Sequence, residues 1–234
     1  MAGRLPAFPR PAATVILIQP QPHSLQVFLT KRPQTMRFLP GYCVFPGGKL
    51  EKEDALFPKD HLYGYEPENL AVDVAYYIAA ARELFEEVGV LLYRGEKRTE
   101  EGQTWRAWRK EVGRDPAAFA EIFRECGWQL DLTALRYFGH RVTPKASPYR
   151  YNTRFFLAVL PDGQEPNPDP VEIEQGFWIK PEEALQRAER GELKFVSPTR
   201  ASLMTLASYR SGPFPLLPDR PEDRAYRSVT EFYG

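Results

Sequence analysis

The stretch that most constrains the fold is AAARELFEEVGV, Ala79 to Val90. On a helix turning about 100° per residue, Tyr77, Ile78, Ala81, Leu84, Phe85 and Val88 gather on one arc, and Glu83, Glu86 and Glu87 on the opposite one. The helical pattern runs from about Glu68 to Val88 and stops at Gly89. Such a helix must lay its apolar arc on a sheet or another helix and turn its acidic arc away. Glu83 and Glu87 are like charges at i, i+4, which costs a few tenths of a kcal/mol, and only Arg82 reaches an acid (Glu86) at that spacing. A hard divalent cation would remove the repulsion, since it takes carboxylate oxygens. A solvated acidic surface would tolerate it. The helix by itself leaves both readings open.

The flanking sequence supplies the sheet. TVILIQ and LQVFLTKR, separated by PQPHS, form a hairpin, and YCVF adds a short strand ending at Pro46-Gly47-Gly48. Residues 55–67 read as a Pro/Gly/Tyr loop, and VLLY as a strand after the helix. Residues 94–128 hold two helices broken around GRDP, followed by strands at 135–143, 153–160 and 176–180. Pro181 opens a helix with Glu182 and Glu183 early and Arg187 and Arg190 late, the order the helix dipole favours. Ser197-Pro198 caps a last helix to about Arg210, and the proline-rich 212–234 extension wraps the surface or reaches a partner. The expected class is α/β in the α+β sense, a mixed sheet covered by helices, built as one domain over residues 1–234.

Charge and cysteine content exclude several functions. Lys plus Arg equals Asp plus Glu at 31 each, so no global field draws the chain to nucleic acid or an anionic membrane. No run approaches the ~20 apolar residues of a membrane-spanning helix, and the apolar N-terminal run reads as a strand rather than a signal peptide. Cys43 and Cys126 lack CxxC spacing and are expected as buried free thiols. With no spanning run and no signal peptide read, a soluble cytoplasmic protein is the default expectation. A homodimer stays open.

A Gly-Gly turn at a strand end lets the backbone approach an ion or phosphate closely. Turn and helix together resemble the Nudix hydrolase box: Gly, five residues, Glu, seven residues, then Arg-Glu-apolar-any-Glu-Glu-any-Gly-apolar. The chain offers Gly48, Asp54 after five residues, and Arg82-Glu83-Leu84-Phe85-Glu86-Glu87-Val88-Gly89-Val90. It departs twice. Aspartate replaces the glutamate, and Gly48 to Arg82 spans 34 positions rather than 14, so 20 residues, about 55–74, are inserted. Val74 stands eight before Arg82, so Asp54 is the first candidate for the acidic position and Asp73, one off, the second. The resemblance implies a Nudix fold with an extra helical segment at about 94–130. It further implies Mg²⁺ or Mn²⁺ held by the Gly47 carbonyl, Glu83, Glu86 and Glu87, with Arg82 orienting Glu83 and Glu83 positioning or deprotonating water. The resemblance also implies a further acidic ligand from a later loop, for which Glu172 and Glu174 are candidates, with an ordinary surface glutamate as the competing reading of each.

A second resemblance narrows the substrate. Leu29, Thr30, Arg32, Arg37, Gly41, Phe45, Pro46, Gly47 and Gly48 are in register with a signature of coenzyme A diphosphatases, although Phe28 and Pro33 depart from it. Arg32, Arg37 and Gly48 are then substrate-binding candidates, the arginines as bidentate phosphate donors. RVTPKASPYRYNTRFFLAVLP adds Lys145, Arg150 and Arg154 as cleft candidates. The implied reaction on a small nucleotide is hydrolysis of coenzyme A or acyl-coenzyme A to 3′,5′-ADP and (acyl-)4′-phosphopantetheine. Alternatives are ADP-ribose, NADH or a dinucleoside polyphosphate as substrate, or a module that binds nucleotides without turnover. Trp105, Trp108 and Val112 read as a packing stripe with Arg106, Arg109 and Lys110 on its wet side, and His23, His61 and His140 as isolated residues.

Overall fold

The computed structural model describes residues 8–22, 24–96, 101–224 and 226; His23 lies outside them. Strand β1 (Arg10–Gln21) alternates Val15 and Leu17 toward one core with Ile16 and Ile18 toward another. That alternation is possible because a strand buried on both faces needs apolar residues at every position. The hairpin forms as read, β1 against β2 (Ser24–Lys31) with Ile18 opposite Val27. Two short strands, β3 (Cys43–Val44) and β4 (Gly47–Lys49), add to β2 and β1 respectively. The main sheet runs β10 (Gln175–Ile179), β2, β1, β9 (Tyr151–Val159), β8 (Arg136–Val142), with only the β1–β9 pair parallel.

Helix α2 (Val74–Val88) covers one face, its Tyr77, Ile78, Ala81, Leu84, Phe85 and Val88 buried with Val15, Leu17 and Phe156. Helices α5 (Pro181–Glu189) and α6 (Ser197–Ala207) contribute Ala184, Leu203 and Leu206 to the core on the other face. This is the expected mixed sheet between helices. Among the described residues no helix is long and apolar enough to cross a membrane.

Several local expectations need correction. α2 begins at Val74, not near Glu68, because the Asp73 carboxylate accepts from the Ala75 amide and caps the helix there. Val90 to Leu92 are buried but form no strand: the Gln164 side chain satisfies both the Leu91 N–H and C=O. Pairing is confined to β6 (Tyr93–Arg94). At α6, Val196 rather than Ser197 occupies the N-cap position. Cys43 is buried, but Cys126 is only half-buried.

The 55–74 insertion is not a loop standing off the surface. After a short helix α1 (Lys52–Ala55), Phe57 is buried against Phe119 and Phe123 of α4 (Ala118–Cys126). β5 (Leu62–Tyr63) pairs with β7 (Gln129–Asp131), which also pairs with β6 in a second small sheet. His61 Nδ1 sits 2.8 Å from the Trp128 carbonyl oxygen. Two stretches absent from a minimal box, the insertion and the helical segment, thus supply apolar surface to each other.

The C-terminal extension packs along β8 as far as it is described. Leu217 is buried, and its amide donates to the Phe138 carbonyl at 2.7 Å. In α7 (Pro221–Arg224), the Asp223 carboxylate accepts from the Val142 amide at 2.8 Å and from Arg220 at 2.7 Å.

Candidate active site

β4 and α2 bring the two halves of the site together. Gly47 lies opposite Thr14 in the β1–β4 ladder, so close that a β-carbon there would sit 2.3 Å from the Ala13 carbonyl oxygen. Only glycine fits such an approach. The Gly47 amide donates to Glu87 Oε2 at 3.1 Å. At Gly48 a β-carbon would meet Glu83 Oε1 at 2.4 Å, so the missing side chain is the space Glu83 occupies.

Arg82 organises the acids. It is buried at 2% exposure, where an unpaired charge would be very costly. Its Nε donates to Asp54 Oδ1 at 2.8 Å and its Nη2 to Asp54 Oδ2 at 3.0 Å, while Nη2 also reaches the Lys49 carbonyl at 3.0 Å. The remaining nitrogen, Nη1, donates to Glu83 at 3.0 Å and Glu86 at 3.3 Å. Asp54 is held from its own side by α1, where its carboxylate accepts from the Glu51 amide at 2.8 Å. Asp54, not Asp73, therefore occupies the acidic position beside Arg82, and the shorter side chain reaches.

Burial opposes the Arg82 charge, but Asp54, Glu83 and Glu86 outweigh it and hold the guanidinium protonated. Burial pushes the Glu83 carboxyl up to about 7, with Arg82 opposing and Glu86 adding to the rise. Glu86 is raised by burial, against the pull of Arg82, and Glu87 is held well above the carboxylate range by burial and by Glu83. One guanidinium cannot balance four acids in this space.

That donor set fits a hard divalent cation: oxygen ligands only, on one helix face, with more negative charge than the protein neutralises. The side chains are currently divided between Arg82 Nη1 and the Gly47 amide, and among the described residues no three acids converge as a ready-made cage.

The other candidates separate clearly. Glu174 is held by Lys31 at 2.7 Å, whereas the exposed Glu172 acts electrostatically on both Glu86 and Glu87. Arg32 donates to the Phe38 carbonyl at 3.0 Å, shaping the 33–42 loop, and its charge acts on Glu87. Arg37 is exposed on that loop, as Lys145 is on the loop before β9. Arg150 and Arg154 are not open to a cleft: both are buried, Arg150 donating to the Thr143 carbonyl and lying over the Tyr226 ring, and Arg154 donating to the Tyr226 carbonyl.

In α3 (Glu101–Val112), Trp105 packs on Phe85 and Val112 is buried, while Arg106 and Lys110 are exposed, as read. Arg109 is the exception and turns inward to the end of α2. The signal was present: 105, 108, 109 and 112 share one helix face, which placed Arg109 within the stripe rather than opposite it. A cavity of about 830 Å³ opens beside Arg109, lined also by Gly89, Tyr93 and Trp105. Its walls contain none of the three glutamates, so the cavity does not mark the acidic cluster.

Known proteins resemble this arrangement. A family model described as the NUDT19 Nudix domain matches residues 55–205. The acyl-coenzyme A diphosphatases NUDT19 of Gallus gallus and Homo sapiens are each 27% identical, over 81% and 82% of this chain. The chain spans 63% of the length of each of these relatives. The crystal structure of a NUDIX hydrolase from Alicyclobacillus acidocaldarius is 32% identical, superposes with a TM-score of 0.73, and covers 86% of this chain and 92% of its own.

Proposed function

This chain belongs to the Nudix hydrolases, and on that premise we propose that it hydrolyses the diphosphate bridge of coenzyme A or acyl-coenzyme A. The products are 3′,5′-ADP and (acyl-)4′-phosphopantetheine. The observation that carries the hydrolytic reading is Arg82, buried between Asp54 on one side and Glu83 and Glu86 on the other. Support for the coenzyme A class comes from the relatives named acyl-coenzyme A diphosphatase and from the Arg32-to-Gly48 signature.

Glu83, Glu86 and Glu87 are the residues that would hold Mg²⁺ or Mn²⁺, with the Gly47 carbonyl and Glu172 at the margin. When bound, such a cation supplies neutralisation of the diphosphate oxygens and an acidified water. The chain's own residues do the remaining work. Arg82 fixes the Glu83 carboxylate through Nη1 at 3.0 Å, limiting its rotation. Glu83, with its carboxyl near 7, is placed to orient water or accept its proton at neutral pH. The Gly47 amide fixes one oxygen of Glu87. Arg32 is set to take a phosphate oxygen beside that cluster, and Arg37 a more outlying one.

Chromatography of products from coenzyme A, acyl-coenzyme A, ADP-ribose, NADH and a dinucleoside polyphosphate, with Mg²⁺ or Mn²⁺, tests the reading. Release of 3′,5′-ADP at the highest kcat/KM is the expected result. Preferential turnover of ADP-ribose or NADH would replace coenzyme A as the substrate, and no turnover of any would leave a nucleotide-binding module.

A further inference from the structure

The C-terminal end of α2 is closed by groups that stand outside the Nudix signature. Arg109 donates to the Glu86 carbonyl from Nε at 3.2 Å and Nη2 at 3.0 Å, and from Nη2 to the Glu87 carbonyl at 3.0 Å. Its Nη1 donates to the Asn167 carbonyl at 2.7 Å. The amides of Asn167 and Asp169 donate to the Val88 and Glu87 carbonyls, both at 2.8 Å, and the Trp105 indole N–H to the Gly89 carbonyl at 2.9 Å. Close by, a β-carbon on Gly113 would stand 3.2 Å from Glu86 Oε1, so the end of α3 also borders that carboxylate.

The physical need is specific. The last carbonyls of a helix have no partner within it and form the negative end of its dipole. Here that end coincides with Glu86 and Glu87, two acids that burial already holds above their ordinary values. A planar guanidinium can bridge several carbonyls with fixed geometry, which an ammonium cannot. The same arginine fastens the 167–169 backbone to the helix, and Ile173 bonds back to the Asp169 carbonyl at 2.8 Å, so the turn that presents Glu172 is tied to the same point.

We propose that Arg109, supplied by the extra helical segment, is a positioning residue for the metal-binding acids. It fixes the last turn of α2 and the Glu172 turn against each other, so that Glu86, Glu87 and Glu172 keep a common geometry. This rests on the reading of Glu83, Glu86 and Glu87 as the cation site. Arg109 acts through backbone carbonyls rather than through the acids' side chains.

Titration of Mn²⁺ into the substrate-free protein, following the paramagnetic resonance signal of the free ion, tests the role in Arg109→Gln and Arg109→Lys. Loss of a partner that orients metal ligands costs about 10- to 100-fold in metal affinity. Arg109→Gln is expected in that range and Arg109→Lys near its lower end, with substrate KM at saturating Mn²⁺ unchanged and kcat largely recovered there. A variant that melts earlier but binds Mn²⁺ as tightly as wild type would show that Arg109 only props the fold, and would overturn the proposal. Should the glutamine variant not fold, the lysine variant decides by the same criterion. Wild-type protein that binds no Mn²⁺ overturns the cation site itself, and the role of Arg109 with it.

Discussion

Asp54 and Arg82 form a bidentate ion pair at 2.8 and 3.0 Å, across 28 residues of sequence and with both side chains almost fully buried. The pair joins the Gly-Gly turn to α2, over an insertion that would otherwise separate them. Asp54→Ala should therefore be severe. Removing one partner of a buried ion pair costs about 3–5 kcal/mol, here towards the lower end because Glu83 and Glu86 still face Arg82, read as a shift of the urea midpoint. Asp54→Glu keeps the charge and adds one methylene, for which about 1–3 kcal/mol of overpacking is expected. Equal stability of the alanine variant and wild type would remove Arg82 from the centre of the site.

Gly48→Ala separates geometry from stability. The new methyl would displace the tip of Glu83, a flexible side chain, rather than backbone. Unfolding should change by less than about 1 kcal/mol, since the group displaced can rotate away. Turnover should fall by about tenfold or more, because Glu83 leaves its bond to Arg82. Full activity in this variant would mean that Glu83 need not be held where it is.

Glu87→Gln removes an acid that burial already holds well above the carboxylate range. In EDTA the variant should melt no earlier than wild type. Its Mg²⁺-dependent rise in melting temperature should disappear, and turnover should fall by more than the ~100-fold typical of groups one step removed from a metal. Differential scanning fluorimetry and initial rates check both.

The Glu83 carboxyl gives that metal effect a pH dependence. Its folded value, about 7, lies above the ordinary 4.5, so without metal it contributes stability that is present below 4.5 and lost as pH rises through 7. A cation binding the ionised form must displace fewer protons as pH rises. The melting-temperature gain from Mg²⁺ should accordingly be larger at pH 8 than at pH 6, and an equal gain at both would argue against Glu83 as a ligand.

Asp223 works in the opposite sense. Burial opposes its ionisation, but hydrogen bonds from Arg220 and the Val142 amide prevail and hold it below 3.8. Its contribution is present above about pH 3.8 and is lost as pH falls through the lower folded value. Asp223→Ala should cost about 1–3 kcal/mol at neutral pH by orphaning the Val142 amide. It should also open the 212–224 segment to proteolysis, visible as a shortened chain by mass spectrometry.

The sequence alone determined the features that depend on local repetition. The apolar arc of α2 follows from 3.6-residue spacing, the first strand from its short β-branched apolar run, and the grouping of Glu83, Glu86 and Glu87 from i, i+3, i+4 geometry. The arginines at 32 and 37 and the paired glycines are marked as candidates by their resemblance to family signatures, not by repetition. What sequence spacing could not decide was set by contacts between distant segments. Whether Asp54 reached Arg82, whether Glu172 or Glu174 faced the acids, and whether Arg150 and Arg154 faced a cleft or lay buried against Tyr226 each depended on a partner many residues away. The insertion looked like a loop because its prolines and glycines break regular structure, yet Phe57 and Leu62 are buried once α4 and β7 come to meet them. Arg109 is the sharpest case. Its charge argued for water, but the unpaired carbonyls at the end of α2 exist only in the folded chain, and they drew it in.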